Sequence, residues 1–112
     1  MTANQFRKAA LSLPGVVESS HVNHPDFRVQ NKIFATLGYP DPRWGMVKLT
    51  PEQQGELLRA APELFRPAAG AWGRSGSTVI LLSAITVAAL RPILRRAWEN
   101  IAARNTATKR RR

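Results

Sequence analysis

Two alternating stretches, Asp26-Phe27-Arg28-Val29 and Lys32-Ile33-Phe34-Ala35-Thr36-Leu37, flank the dipeptide Gln30-Asn31. Apolar and polar residues alternating on both sides of two turn residues are the signature of a β-hairpin. Asn31 tolerates the left-handed backbone that a two-residue turn requires. Gln30 does not suit it, so a looser turn stays open. With a two-residue loop, Phe27 faces Phe34 and Arg28 faces Ile33. An aromatic cross-strand pair of that kind is worth roughly 0.2–1 kcal/mol over Ala–Ala. Both phenylalanines are therefore expected in the core, and the chain is committed to an antiparallel sheet.

The remaining elements arrange themselves around this hairpin. Thr2 and Gln5 match a capping box, which opens a helix over residues 3–13 with Phe6, Ala9, Ala10 and Leu13 on one face. Pro14 and Gly15 end it. Residues 16–20 read as a short strand, 38–43 as a turn with two prolines, and 44–49 as a further strand. Thr50-Pro51-Glu52-Gln53 is the clearest local signal: an N-cap, a proline at the first helical position and a second capping box. That helix carries Leu57 and Leu58 inward and stops near Pro62. Residues 63–77 read as a Gly/Pro-rich loop, and residues 78–82 as a buried strand. Ser83 or Thr86 then caps a last helix to about residue 103, burying Leu90, Ile93, Leu94, Ala97, Trp98 and Ile101. Pro92 either kinks that helix or starts a second segment.

The predicted order is helix, three or four strands, helix, strand, helix. Strands joined by short turns imply an α+β, two-layer domain with an antiparallel sheet and helices packed on one side. One such domain spans residues 1–103, followed by a basic tail at 104–112 that is expected to be disordered.

The formal net charge is +10, from 17 Lys+Arg against 7 Asp+Glu. Such an excess points to a polyanionic partner. Much of it lies late in the chain: residues 91–112 hold eight basic residues and one acid, Glu99. Cysteine is absent, which excludes disulfides, thiolate catalysis and zinc–thiolate sites. The first residues show no basic and apolar leader pattern, and no apolar run approaches a membrane span. A cytoplasmic location is the expectation, and a monomer is favoured.

Several of these residues also form a recognisable set. His24-Pro25-Asp26-Phe27-Arg28-Val29 with Lys32 to Leu37, the Trp72-Gly73-Arg74 loop and the late Ala97-Trp98 pair resemble the MmcQ/YjbR family of small bacterial proteins. The likeness runs from about Phe6 to Trp98. It implies a CyaY-like or double-wing α+β fold and, by likeness to a double-wing module, DNA binding. Three positions depart from the family pattern. Asn31 stands where glycine is frequent, Thr86 where an acidic cap is common, and Pro92 interrupts the last helix.

Four motifs carry possible chemistry. His21, His24 and Asp26 form H-x-x-H-x-D, whose residues suit a metal. The spacing is unspecific, and turn or strand-edge histidines are the preferred reading. Gly70, Gly73 and Gly76 with Arg74 and Ser75 suggest a phosphate grip, yet the G-x-x-x-x-G-K-[ST] pattern is missing. Tight turns beside Trp72 explain the glycines better. Trp72 and Trp98 read as core or rim anchors, with stacking on a base as the lesser alternative, and Trp44, beside a turn, as the exposed indole. Arg28, Lys32, Arg43, Lys48 and Arg74 lie on or next to strands and the glycine loop, where they could follow phosphates. A solvated face is the usual and preferred explanation of such a set.

No nucleophile, base and orienting group come together in the sequence, and the acids of the second helix show no paired-carboxylate pattern. The expectation is a non-enzymatic DNA-binding protein of the MmcQ/YjbR type, with no cofactor, no metal and no membrane. It would act mainly through phosphate contacts by Arg28, Lys32, Arg43, Lys48 and Arg74. The alternative is a small-ligand or protein-interaction module.

Overall fold

Both capping boxes form. In the computed structural model, which describes the backbone of residues 1–110 and the side chains of residues 1–103, Gln5 N donates to Thr2 Oγ1 at 3.1 Å and Thr2 N to Gln5 Oε1 at 2.9 Å. They open helix α1 (Ala3–Leu11). Thr50 and Gln53 repeat the arrangement at 3.2 and 3.0 Å and open α2 (Pro51–Ala60). Each box satisfies N–H groups that a helix start would otherwise leave unpaired.

Between these helices run β1 (Val17–His21), β2 (His24–Val29), β3 (Lys32–Leu37) and β4 (Trp44–Lys48). After α2 come β5 (Phe65–Pro67), the one-turn helix α3 (Gly70–Arg74), β6 (Ser77–Leu81), a 3-10 turn at Leu82–Ala84 and the long helix α4 (Val87–Arg110). The six strands form one antiparallel sheet in the order β1-β2-β3-β4-β6-β5. The fold is α+β, as the sequence implies. The last helix runs to Arg110 rather than ending near residue 103; the side chains of the tail expected at 104–112 lie outside the described residues, and Arg111 and Arg112 lie outside them altogether.

The two-residue turn is present. Gln30 and Asn31 both take positive φ, at 52° and 66°, so even the unsuited glutamine adopts the left-handed conformation that matches the strand twist. Arg28 faces Ile33 as expected, but Phe27 faces Ala35 rather than Phe34. The register slips between Phe27 and Arg28 because a bulge adds one residue to β3. Both rings are nevertheless fully buried, and Phe27 packs on Phe6 with ring centroids 6.0 Å apart.

Residues 63–77 are not a continuous loop. Phe65–Pro67 adds a sixth strand at the sheet edge, and Gly70–Arg74 makes a helical turn. Close approach accounts for the glycines: a Cβ at Gly73 would strike the Ala68 carbonyl, and one at Gly76, where φ is +113°, would strike the Leu49 carbonyl. Gln54, buried on α2, locks the segment by donating to the carbonyl oxygens of Gly73 at 3.1 Å and Ser77 at 2.9 Å.

Thr86 caps α4, its Oγ1 accepting from Ala89 N at 3.1 Å. Pro92 lies inside a helix that continues past it as one element. Leu90, Leu94 and Ala97 are buried as predicted, while Ile93, Trp98 and Ile101 pack partly exposed against the same core. The core lies between one face of the sheet and the helices α1, α2 and α4.

Candidate functional site

Alternation along each strand assigns the other face of the sheet. Phe27, Val29, Ala35, Val47 and Ile80 belong to the helix-side core. Their neighbours Asp26, Arg28, Thr36, Met46 and Val79 therefore point away from α1, α2 and α4. Cross-strand register adds His21 opposite His24, Thr36 opposite Asp26 and Met46, Trp44 opposite Leu81, and Arg66 opposite Val79. A second apolar cluster of Trp44, Met46, Ala68 and Val79, with Tyr39 and Leu81 against it, sits on this face.

At its β1–β2 end a buried carboxylate organises the polar groups. Asp26 is fully buried and accepts from Arg28 Nε at 2.8 Å and Nη2 at 3.1 Å. His21 Nδ1 lies 2.8 Å from Oδ2, the oxygen that Arg28 Nη2 also reaches. The Arg28 guanidinium holds the Asp26 carboxyl below its ordinary value of 3.8, outweighing the opposing effect of burial, and His21 adds a smaller pull the same way. Thr36, beside Asp26 in register, has a buried hydroxyl with no partner among the described residues.

A line of rings crosses the face. His21 and His24 are 6.3 Å apart, His24 and Tyr39 6.0 Å, and Tyr39 and Trp72 6.2 Å between ring centroids, each pair edge-on. The expected exposures of two tryptophans are reversed. Trp72 is 57% exposed, whereas Trp44 lies beneath the cluster at 6%. Trp44 belongs to this face and is covered there by Ala68, Val79 and the Arg66 guanidinium, whereas Trp72 sits on a single turn too short to bury it. Trp98 is half-buried and donates from Nε1 to the Pro14 carbonyl oxygen at 2.9 Å. Beside the line of rings opens a cleft of about 310 Å³, walled by Tyr39, Trp44, Arg66, Ala68 and Val79. The Arg66 guanidinium lies 5.1 Å from the Trp44 ring centroid, within cation–π range.

The five basic residues singled out from sequence do not gather into one patch. Arg28 is tied to Asp26. Arg43 is tied to Asp41, whose carboxyl it pulls down to about 2, chiefly by a side-chain hydrogen bond at 2.8 Å. Lys48 ends β4 opposite Ser77, and Arg74 ends α3 three residues before that serine, so both stand at one end of the sheet. Lys32, opposite Val29 at the hairpin tip, takes the helix side at that same end. Arg43 precedes β4 at the other end. Among the described residues, Lys32, Lys48, Arg66 and Arg74 have no carboxylate partner. Arg66 escapes sequence reasoning because β5 is three residues long, and Tyr39 because it lies in the turn between β3 and β4. Only the Phe65-Arg66-Pro67 alternation hinted at a strand.

Of the H-x-x-H-x-D residues, His21 and His24 close the β1–β2 turn and Asp26 is engaged by Arg28; no group of three or more His, Cys, Asp or Glu that could hold a metal occurs among the described residues. Nor is any described helix long and apolar enough to cross a membrane.

A six-stranded antiparallel sheet with its long helices on one face and a half-open, aromatic and basic opposite face defines a small α+β domain. The chain belongs to the YjbR family, whose model matches residues 11–100. A solved structure with the same fold is the Deinococcus radiodurans protein DR2400, which carries a DUF419 domain. The two share 21% identity with a TM-score of 0.74, over 89% of this chain and 78% of that one. No curated protein matches the sequence.

Proposed function

We propose that this YjbR protein is a non-enzymatic nucleic-acid binder, DNA in the first instance, acting chiefly through phosphate contacts. The observation that carries the reading is a charge imbalance on one surface. Lys48 and Arg66 on the helix-free face, and Arg74 beside it, have no acidic partner among the described residues. Arg28 and Arg43, already neutralised by Asp26 and Asp41, take a secondary part, and Lys32 extends the basic rim at the hairpin tip. A polyanion supplies the missing counter-charge and releases its own counterions on binding. The reading concerns binding without catalysis: His21 and Asp26 form a polar pair, but Arg28 shares the carboxylate.

The test is a salt series. Log K for duplex DNA should fall with log salt at about −0.9 per phosphate contact. The triple variant Lys48→Ala, Arg66→Ala, Arg74→Ala should flatten that slope by about three contacts. If protein lacking residues 104–112, shown folded by circular dichroism, binds neither duplex nor single strand at low salt, the domain is not a nucleic-acid binder. The reading of a small-ligand or interaction module would then take its place.

A further inference from the structure

We infer that the strand this face takes up is single, and that one of its bases is seated in the cleft between Tyr39 and Arg66. The inference rests on the nucleic-acid reading above and sharpens it. Phosphate contacts alone need cations on a rim. This face offers more: an indole 57% exposed, in edge contact with Tyr39 and continued through His24 to His21. A large apolar side chain held in water beside other rings is a stacking surface without its partner. Bases in a duplex are stacked on each other and present only their edges, whereas a single strand can splay them onto aromatic rings.

The cleft fits one such base. Its volume of about 310 Å³ lies at the small end of ligand pockets, which run from about 300 to 1,000 Å³. Its floor is the apolar pair Trp44 and Val79. Tyr39 and Arg66 stand at its sides, a ring and a flat cation, either of which stacks on a heteroaromatic plane. Asp41 also lines the cleft, but Arg43 holds it at 2.8 and 3.0 Å, so an incoming phosphate meets a neutralised pair. Arg66 and Lys48 supply unpaired positive charge along the same face for the flanking phosphates. DNA and RNA single strands share this chemistry.

The test uses the full-length protein at one salt concentration with four labelled probes: oligo-dT, oligo-rU, an abasic strand of equal length, and a duplex of equal length. The basic residues at the chain end meet phosphates on every probe, and the abasic strand matches the base-bearing single strands in charge and length, so the difference among the single strands reports on bases. Single strands should bind roughly tenfold tighter than the abasic strand and the duplex, with quenching of tryptophan fluorescence. Trp72→Ala should remove that preference while leaving duplex and abasic binding within about twofold, whereas Arg66→Gln, which also takes away a phosphate contact, should weaken all four probes and the base-bearing single strands most. Trp72→Phe, which keeps a ring, should retain it, and Trp72 is exposed enough that neither change threatens folding. A tighter oligo-rU than oligo-dT would name RNA as the source. Equal binding of abasic and base-bearing strands, with no effect of Trp72→Ala, would overturn the inference and leave the phosphate reading standing. No binding to any probe would overturn both.

Discussion

Arg28 closes over a carboxylate that water cannot reach: Asp26 is fully buried, and Arg28 grips it through Nε at 2.8 Å and Nη2 at 3.1 Å. The pair sits two residues apart on one strand, on the face the helices leave open. A buried charge without its partner is costly, so the arginine is needed more by the carboxylate than by the solvent it borders.

The pair makes stability depend on pH in a definite direction. Asp26 has a folded-state value below its ordinary 3.8, set chiefly by Arg28. A depressed carboxyl stabilises the fold above the unfolded value, and that contribution is lost as pH falls through 3.8 toward the folded value. Arg28→Ala should lower the melting temperature by several degrees at pH 7. The gap to the parent protein should be widest above about pH 5 and shrink below pH 4, because protonation then neutralises the stranded carboxylate. Thermal unfolding of both proteins from pH 7 to pH 3 measures it; a gap that stays constant would refute the account.

Gln54 should hold α3 in place. Its amide is the side-chain donor to the Gly73 and Ser77 carbonyl oxygens in a buried site. Gln54→Ala removes one donor to each carbonyl, leaving Gly76 N and Ala68 N in place, and should cost about 1–3 kcal/mol for the two bonds together in urea denaturation. Hydrogen exchange should rise first across residues 70–77. Gly73→Ala should cost about 1–3 kcal/mol as well, by overpacking against the Ala68 carbonyl.

Thr36 predicts the opposite sign. Its buried hydroxyl has no partner among the described residues, so Thr36→Val removes an unsatisfied group at nearly constant volume. Stability should stay level or rise by up to about 1 kcal/mol. A loss of more than that in urea denaturation would show that the hydroxyl has a partner in the native state.

Sequence reasoning reached these elements unevenly, and the reasons are physical. Capping boxes are local, and Thr2 and Thr50 were legible because both partners lie within four residues. The hairpin turn was legible for the same reason. The Phe27–Phe34 pairing failed because a bulge is a tertiary accommodation: it lets Phe34 and Ala35 both join the helix-side core, at the expense of strict alternation. The exposures of Trp44 and Trp72 were reversed because neither is decided locally. Trp44 is covered by Ala68 and Val79 from strands and turns far along the chain, while Trp72 rides on five residues too few to fold back over it. The open face was invisible for a related reason. Its floor is built from alternate residues of strands that look fully apolar, and its edge strand is three residues long.

The chain end is the remaining test of where the charge acts. Every buried apolar residue described lies at or before Ala97, and Ile101 is the last to pack on the core. Deleting residues 104–112 removes Arg104, Lys109, Arg110, Arg111 and Arg112 with little apolar area. The melting temperature should therefore change by no more than about 2 °C, since 1 kcal/mol corresponds to roughly 4–8 °C in a domain of this size. Nucleic-acid affinity should fall and its salt slope flatten, by at most about 0.9 for each of the lost cations on duplex DNA. What survives belongs to the folded domain. Adding Lys48→Ala and Arg66→Ala to the shortened protein should then remove most of the residual slope. If those two changes leave it untouched, the helix-free face does not carry the phosphate contacts, and the binding surface has to be sought on Lys32 and the helix side.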